Sequence, residues 1–175
     1  MMITIGGPPG SGKTTVAKLL SKELGKEIVV IGEVFRGLAR ERGYTLAEFG
    51  EIASKDHGID QEIDRRTIEI AKKSDIILEG RLAGIMLHKN DIPSYKIWLD
   101  ADINTRAQRI SNREKGDIDD ISKCMVEREN CEKKRYQDIY GINLDDRDIY
   151  DLVINTSNIS AEEVVKIILD NLKVE

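Results

Sequence analysis

Within its first 24 residues the chain reads apolar segment, glycine-rich loop and amphipathic helix, and that order leaves few ways to fold. Ile3 and Ile5 open a short strand that runs into Gly6-Gly7-Pro8-Pro9-Gly10, and Val16, Leu19, Leu20 and Leu24 follow at helical spacing until Gly25 stops the helix. The eight residues Gly7, Pro8, Pro9, Gly10, Ser11, Gly12, Lys13 and Thr14 match G-x-x-x-x-G-K-[ST] in the strand–loop–helix context that the pattern needs. Glycines let backbone N–H groups converge on phosphate oxygens, and the positive end of the following helix adds a fixed dipole. Lys13 then supplies a point charge for the β and γ phosphates, and the Thr14 hydroxyl belongs on Mg²⁺. The competing reading, a glycine-rich turn that merely precedes a helix, does not account for Gly12-Lys13-Thr14 in register. The segment Gly7 to Thr15 is therefore expected to bind ATP as a phosphoryl donor, with Mg²⁺.

Four more short apolar runs follow: Ile28 to Ile31, Ile76 to Leu78, Lys96 to Leu99, and Leu152 to Ile154. None alternates, and helical sequence separates them, which predicts strands of a parallel sheet buried on both faces. The fold class is α/β and doubly wound, a P-loop three-layer sandwich on a five-stranded parallel sheet. Ligands bind such sheets at the carboxyl ends of the strands, where the loop, Gly32, Glu79 and Asp100 fall. Two stretches are too polar for core: about 33–73, read as three short helices broken at Gly43 and Gly58, and about 110–147. They are expected to form a helical lobe and a lid on a single domain spanning 1–175. At 175 residues and 40% hydrophobic content the chain fills one core, not two.

The formal charge of −5 argues against a broad nucleic-acid surface, so clustered arginines should serve a local site. Phosphoryl transfer gathers many negative oxygens, and arginines approaching from several directions suit it. Arg128, Glu132 and Arg135 lie in a stretch free of Pro and Gly from about Ile118 to Tyr140, and at 100° per residue they fall within about a 60° arc. Arg106, Arg109 and Arg113 share a face by the same arithmetic. A solvated helix laced with ion pairs would show the same spacing, but in an acidic chain with a phosphate loop the set favours a site. Glu79 ends a strand beside Gly80-Arg81; it could hold Mg²⁺ through water or cap the next helix. Arg36 lies one helical turn beyond the second strand and is expected at the same cleft. His57 and His88 read as surface residues, Trp98 as core, and Cys124 and Cys131 as buried apolar residues rather than a disulfide or zinc pair. No apolar run approaches the ~18 residues of a membrane span, and the immediate start of the phosphate loop leaves no room for a signal peptide. A cytoplasmic location and a monomer are the expectation.

These residues resemble the nucleoside monophosphate kinases, and nearly the whole chain is similar to the short archaeal type of cytidylate kinase. The supporting stretches are Gly7 to Thr15, Gly32-Glu-Val-Phe-Arg36, Glu79-Gly-Arg-Leu-Ala-Gly84, Ile97-Trp-Leu-Asp-Ala101, Glu127 to Tyr136 and Tyr150 to Ser157. The resemblance implies a core, a monophosphate-binding lobe and a lid, and phosphoryl transfer from ATP to CMP or dCMP. It implies that Arg36 and Arg81 bind the acceptor phosphate and that Arg128 and Arg135, with Lys13, act on the transferred group. Glu132 takes the place of an acidic lid residue that contacts the cytosine amino group, and Arg109 and Arg113 resemble an arginine pair on the ATP side. Leu82 and Ile31 stand where bacterial relatives carry Asp and Ser, and the lobe is much shorter, which leaves Arg65 and Arg66 as weak substrate-binding candidates. The alternatives are an adenylate kinase-like or other small-molecule kinase, against which the lack of Asp-Gly-[FY]-Pro-Arg argues, and a GTPase-like switch, against which the lack of Asn-Lys-x-Asp argues.

Overall fold

The computed structural model describes residues 1–173 apart from Ser74, and apart from the side chains of Leu46, Ala47, Lys73 and Arg135. Its opening step repeats along the chain. β1 (Ile3–Gly6) leads through the glycine-rich loop into α1 (Lys13–Leu24), and β2 (Ile28–Val30) into α2 (Ile31–Glu41), α3 (Leu46–Lys55) and α4 (His57–Lys73). Then come β3 (Ile77–Glu79) and α5 (Ala83–Lys89), β4 (Tyr95–Asp100) with α6 (Ile103–Glu114) and α7 (Ile118–Tyr140), and β5 (Leu152–Asn155) with α8 (Ala161–Leu172). The sheet has five strands in the order β2-β3-β1-β4-β5, all neighbours parallel. Because the strands run one way, Gly6, Val30, Glu79, Asp100 and Asn155 end at one edge.

Alternate residues sort the strands onto two helical layers. Ile3 and Ile5 of β1 and Ile97 and Leu99 of β4 pack with Val16, Ala17 and Leu20 of α1 and Val164, Val165 and Ile168 of α8. On the other face Leu78 meets Ala83 and Leu87 of α5, while Trp98 meets Met86, Ile142, Leu144 and Tyr150. Each of these fully buried Ile or Leu side chains contributes roughly 1.5–3 kcal/mol by leaving water. Side-chain caps fix several helix starts: Asp102 accepts from Thr105 N, Asp117 from Asp119 N and Asp120 N, and Ser160 pairs with Glu163 in a capping box.

Two-sided burial, expected for every strand, holds for the central ones only. β2 and β5 are edge strands; β2 is half-buried throughout, and Val153 of β5 remains 49% exposed. Ile31 belongs to α2, not to the strand, and its side chain fills the space over Gly80, where a Cβ would approach its atoms to 2.5 Å. The predicted break at Gly58 falls at Asp56, whose Oδ1 accepts from Gly58 N–H at 2.8 Å, and Gly58 enters the first turn of α4. That helix runs 17 residues rather than forming a short piece. The 33–73 stretch also builds a small core of its own, with Leu38, Phe49, Ala53, Ile59 and Ile63 buried and Phe35 against Phe49 at 5.0 Å.

Candidate functional site

Backbone geometry sets the loop. Gly7 has φ +147, and a Cβ there would lie 2.2 Å from the carbonyl oxygen of Leu99, a backbone atom that cannot yield. Gly12 adopts a left-handed conformation as the N-cap of α1, so Lys13 and Thr14 open the helix and its first N–H groups face the loop. Lys13 Nζ donates to Pro8 O at 3.0 Å, and Thr14 Oγ1 donates to Glu79 Oε2 at 3.0 Å. Glu79 is buried and is not a helix cap, since α5 starts from Leu82. Burial pushes the Lys13 ammonium down to about 8; Glu79 opposes that shift and Arg81 adds to it.

In front of the loop lies a cleft of about 940 Å³. It is lined from the loop by Lys13 and Thr14, from β3 and the turn after it by Glu79 and Arg81, from α2 by Arg36, and from α7 by Arg128 and Glu132. The cations arrive already engaged. Arg81 Nη1 donates to Glu132 Oε2, and Arg128 Nε donates to Glu132 Oε1 at 2.8 Å, so each Glu132 oxygen accepts from a guanidinium. Arg36 pairs with Glu33 one turn earlier on α2. Arg135 lies on α7 one turn beyond Glu132, but its side chain is outside the described residues.

Beneath the loop α6 supplies two more arginines. Arg109 donates to Gly10 O at 3.3 Å, to Thr156 Oγ1 at 3.0 Å and to Thr156 O at 2.6 Å, tying the phosphate loop to the turn after β5. Arg106 is buried; it donates to Ala101 O at 3.0 Å and Pro9 O at 3.3 Å and pairs with Glu129 of α7. Arg113 does not join them: its side chain is 68% exposed and pairs with the adjacent Glu114. Arg65 and Arg66 do not reach the cleft either, and sit over a separate depression with Glu41, Glu62 and Glu69.

The remaining cleft wall comes from residues that the sequence pattern did not single out. Phe35 of α2, Ala53 and Ser54 of α3, and His57, Asp60, Ile63 and Asp64 of α4 line it, together with Tyr136 and Tyr140 from the end of α7. The Tyr140 hydroxyl donates to Asp64 Oδ2 across the gap between α7 and α4. Burial raises the Asp64 carboxyl above its ordinary range, against the pull of that hydrogen bond, and burial also pushes the Tyr140 phenol up. His57, Asp60 and Asp64 fall within about a 60° arc of one helix, which helical arithmetic could have shown. His57 is exposed as expected but faces the cleft rather than open surface, whereas His88 lies outside it. The burial expected for Cys124 and Cys131 is corrected: both thiols are exposed, and Cys131 lines the cleft. Among the described residues no three His, Cys, Asp or Glu side chains could jointly hold a metal, and no helix is long and apolar enough to cross a membrane.

Comparison with known proteins adds to this geometry. A sequence profile of the cytidylate kinase-like family matches residues 2–158. A cytidylate kinase of Methanocaldococcus jannaschii is 51% identical, with 99% of each chain covered, and one of Methanococcus vannielii is also 51% identical over 99% of this chain and 100% of its own. Among solved structures, a shikimate kinase from Bacteroides thetaiotaomicron superposes with a TM-score of 0.69 at 13% identity, covering 99% of this chain and 98% of its own, a likeness of fold alone.

Proposed function

The chain belongs to the cytidylate kinase-like family, and on that premise we propose that it transfers the γ-phosphoryl group of ATP to CMP or dCMP, giving ADP and CDP or dCDP. One observation carries the reading from the structural side: Lys13, Arg36, Arg81 and Arg128, from four separate segments, line a single cleft in front of the phosphate loop. Transfer between two nucleotides has to gather the donor's phosphates and the acceptor's phosphate in one place, and four converging cations serve that need. Lys13 and the loop N–H groups take the donor phosphates. Arg36 and Arg81 take the acceptor phosphate, and Arg128 with Arg135 neutralises the group in flight. Planar guanidinium groups bind phosphoryl oxygens bidentately, which lysine does not.

Mg²⁺ fits the donor set. Thr14 and Glu79 offer hard oxygen atoms within a hydrogen bond of each other, and two such protein groups leave room for water and phosphate oxygens, the habit of this ion at nucleotides. When bound, Mg²⁺ supplies charge neutralisation at the phosphates. Glu79 would act with the Thr14 hydroxyl beside the loop, and its carboxylate partly offsets the lowering of the Lys13 ammonium by burial.

The reading is tested by ADP release with CMP, dCMP, UMP, AMP and GMP offered singly as acceptors. Turnover is expected to be fastest with CMP and dCMP. Comparable rates with AMP would assign the chain to another acceptor class.

A further inference from the structure

The acceptor cleft is charged unequally along its length. Lys13, Arg36, Arg81 and Arg128 line it around the phosphate loop and Lys134 lines it from α7, whereas the part of the wall built by α3 and α4 carries Ala53, Ser54, His57, Asp60, Ile63 and Asp64, without lysine or arginine among its described lining residues. A nucleoside monophosphate is unequal in the matching sense, with a dianionic phosphate at one end and a neutral, hydrogen-bonding base at the other. With its phosphate on the arginines, its base comes to the α4 side. There Phe35, Ile63, Met86 and Tyr136 offer apolar and aromatic surface, and the carboxylates offer acceptors.

Cytosine presents two N–H hydrogens at its exocyclic amino group, where uracil presents a carbonyl oxygen. An ionised carboxylate accepts from the first and meets the second acceptor to acceptor. Glu132 is poorly suited to that task, because both of its oxygens accept from Arg81 and Arg128 and its side chain is only 12% exposed. Asp64 is held differently. Its Oδ2 accepts from the hydroxyl of Tyr140, a neutral group that fixes the carboxylate without neutralising it. Tyr140 is anchored in turn, since its carbonyl accepts from Lys89 Nζ at 2.6 Å.

We propose that Asp64 is the residue that distinguishes cytosine from uracil in this cleft, and that Tyr140 is the positioning residue that holds its carboxylate toward the base. The proposal rests on the kinase reading above and identifies the side chain that reads the base. Tyr140 ends the same α7 that carries Arg128 and Glu132.

The test compares kcat/KM for CMP and UMP in the full chain and in Asp64→Asn, Asp64→Ser, Tyr140→Phe and Glu132→Gln, with thermal melting to verify folding. Asparagine keeps a carbonyl for Tyr140 and turns an amide N–H₂ toward the base, which reverses the polarity that the base meets. The CMP-over-UMP ratio should fall on the order of ten- to a hundredfold in Asp64→Asn, the usual range for mispairing one buried polar group. Asp64→Ser, which removes the carboxylate with less change in neighbouring charge than a lysine would bring, should lower the ratio as well. Tyr140→Phe should lower it by a smaller factor, chiefly through KM for CMP, while thermal stability alone would not move the ratio. A ratio within about twofold of wild type in both folded Asp64 variants, or a collapse confined to Glu132→Gln, would overturn the proposal. Absence of CMP turnover in the wild-type chain would instead overturn the kinase reading on which it rests.

Discussion

Lys13 sits where burial disfavours its charge, and removing that charge should stabilise the protein while abolishing its activity. The ammonium is held at about 8 against an ordinary 10.5. Below pH 8 it is charged in both the folded and unfolded chain, so the whole cost of burying it falls on the folded state. Between pH 8 and 10.5 the folded chain has released the proton and the unfolded chain has not, so the unfolded state binds more protons and stability rises with pH. A shift of this size corresponds to a ceiling of about 3 kcal/mol at pH 7, falling to about half by pH 9.5 and vanishing above the unfolded value. Lys13→Met keeps the volume of the stem and deletes the charge. It should raise the urea midpoint at pH 7, raise Tm by several degrees, about 2–4 °C for each kcal/mol in a chain of this size, and converge with wild type above pH 10. Turnover should drop on the order of 10²-fold or more, because a pre-organised charge on the phosphates is lost. A variant less stable than wild type at pH 7, or a stability difference that does not change with pH, would refute the reasoning.

Arg128→Lys and Arg135→Lys should each lower kcat more than they raise KM for either nucleotide, since lysine keeps the charge and loses the fork; steady-state kinetics in which KM alone changed would make them binding groups. Gly7→Ala should abolish ADP release and lower Tm, because its Cβ would meet the Leu99 carbonyl at 2.2 Å. Asp102 is held down at about 2, first by the Thr105 N–H and then by the Thr105 hydroxyl. Its folded value lies below the ordinary 3.8, so its contribution is complete above pH 3.8 and is lost as pH falls toward 2. Asp102→Ala should therefore lower Tm near neutrality and show a smaller deficit at pH 2, measured by circular dichroism.

The parts of the site that could be read from sequence are those set by local chemistry. Gly12-Lys13-Thr14 fixes loop geometry within a few residues, and the uninterrupted run from Ile118 to Tyr140 became α7 with both predicted boundaries. What escaped depends on contacts between distant segments. Arg36, Arg65, Arg66 and Arg113 look alike as letters, yet only Arg36 lines the cleft, because α4 turns Arg65 and Arg66 toward the glutamates at its back and the start of α2 faces the loop. Edge and central strands are equally apolar in sequence, and nothing in Ile28 to Ile31 announces that the chain leaves the sheet at Ile31 to cover Gly80. The α4 wall was hidden for another reason. His57 reads as a surface residue and Asp60 and Asp64 do not stand out, because nothing in their spacing shows that α7 lies across them.

An acidic chain that must gather phosphates faces two opposed requirements, and the ion pairs of the cleft meet both. Four cations left facing one another would repel and hold the lobe and α7 apart. Here Arg36 lies on Glu33, Arg81 and Arg128 share Glu132, and Lys13 donates to Pro8 O, while beneath the loop and outside the cleft lining Arg106 lies on Glu129. Each carboxylate is monoanionic, whereas a nucleotide brings two or more negative charges and oxygens spaced for bidentate contact, so phosphate can displace or bridge these partners at modest cost. Burial differs among the pairs. Arg106–Glu129 and Arg81–Glu132 are both enclosed; the first joins α6 to α7, to Pro9 O of the phosphate loop and to Ala101 O after β4, and loss of either partner would leave a buried charge alone. Arg36–Glu33 and the outer part of Arg128 are open to water and held weakly. Arg106–Glu129 thus serves as a strut beneath the loop, whereas Arg36 and Arg128 lie open to water, and on the proposed kinase reading they are the arginines that a bound phosphate would draw away from their carboxylates most readily.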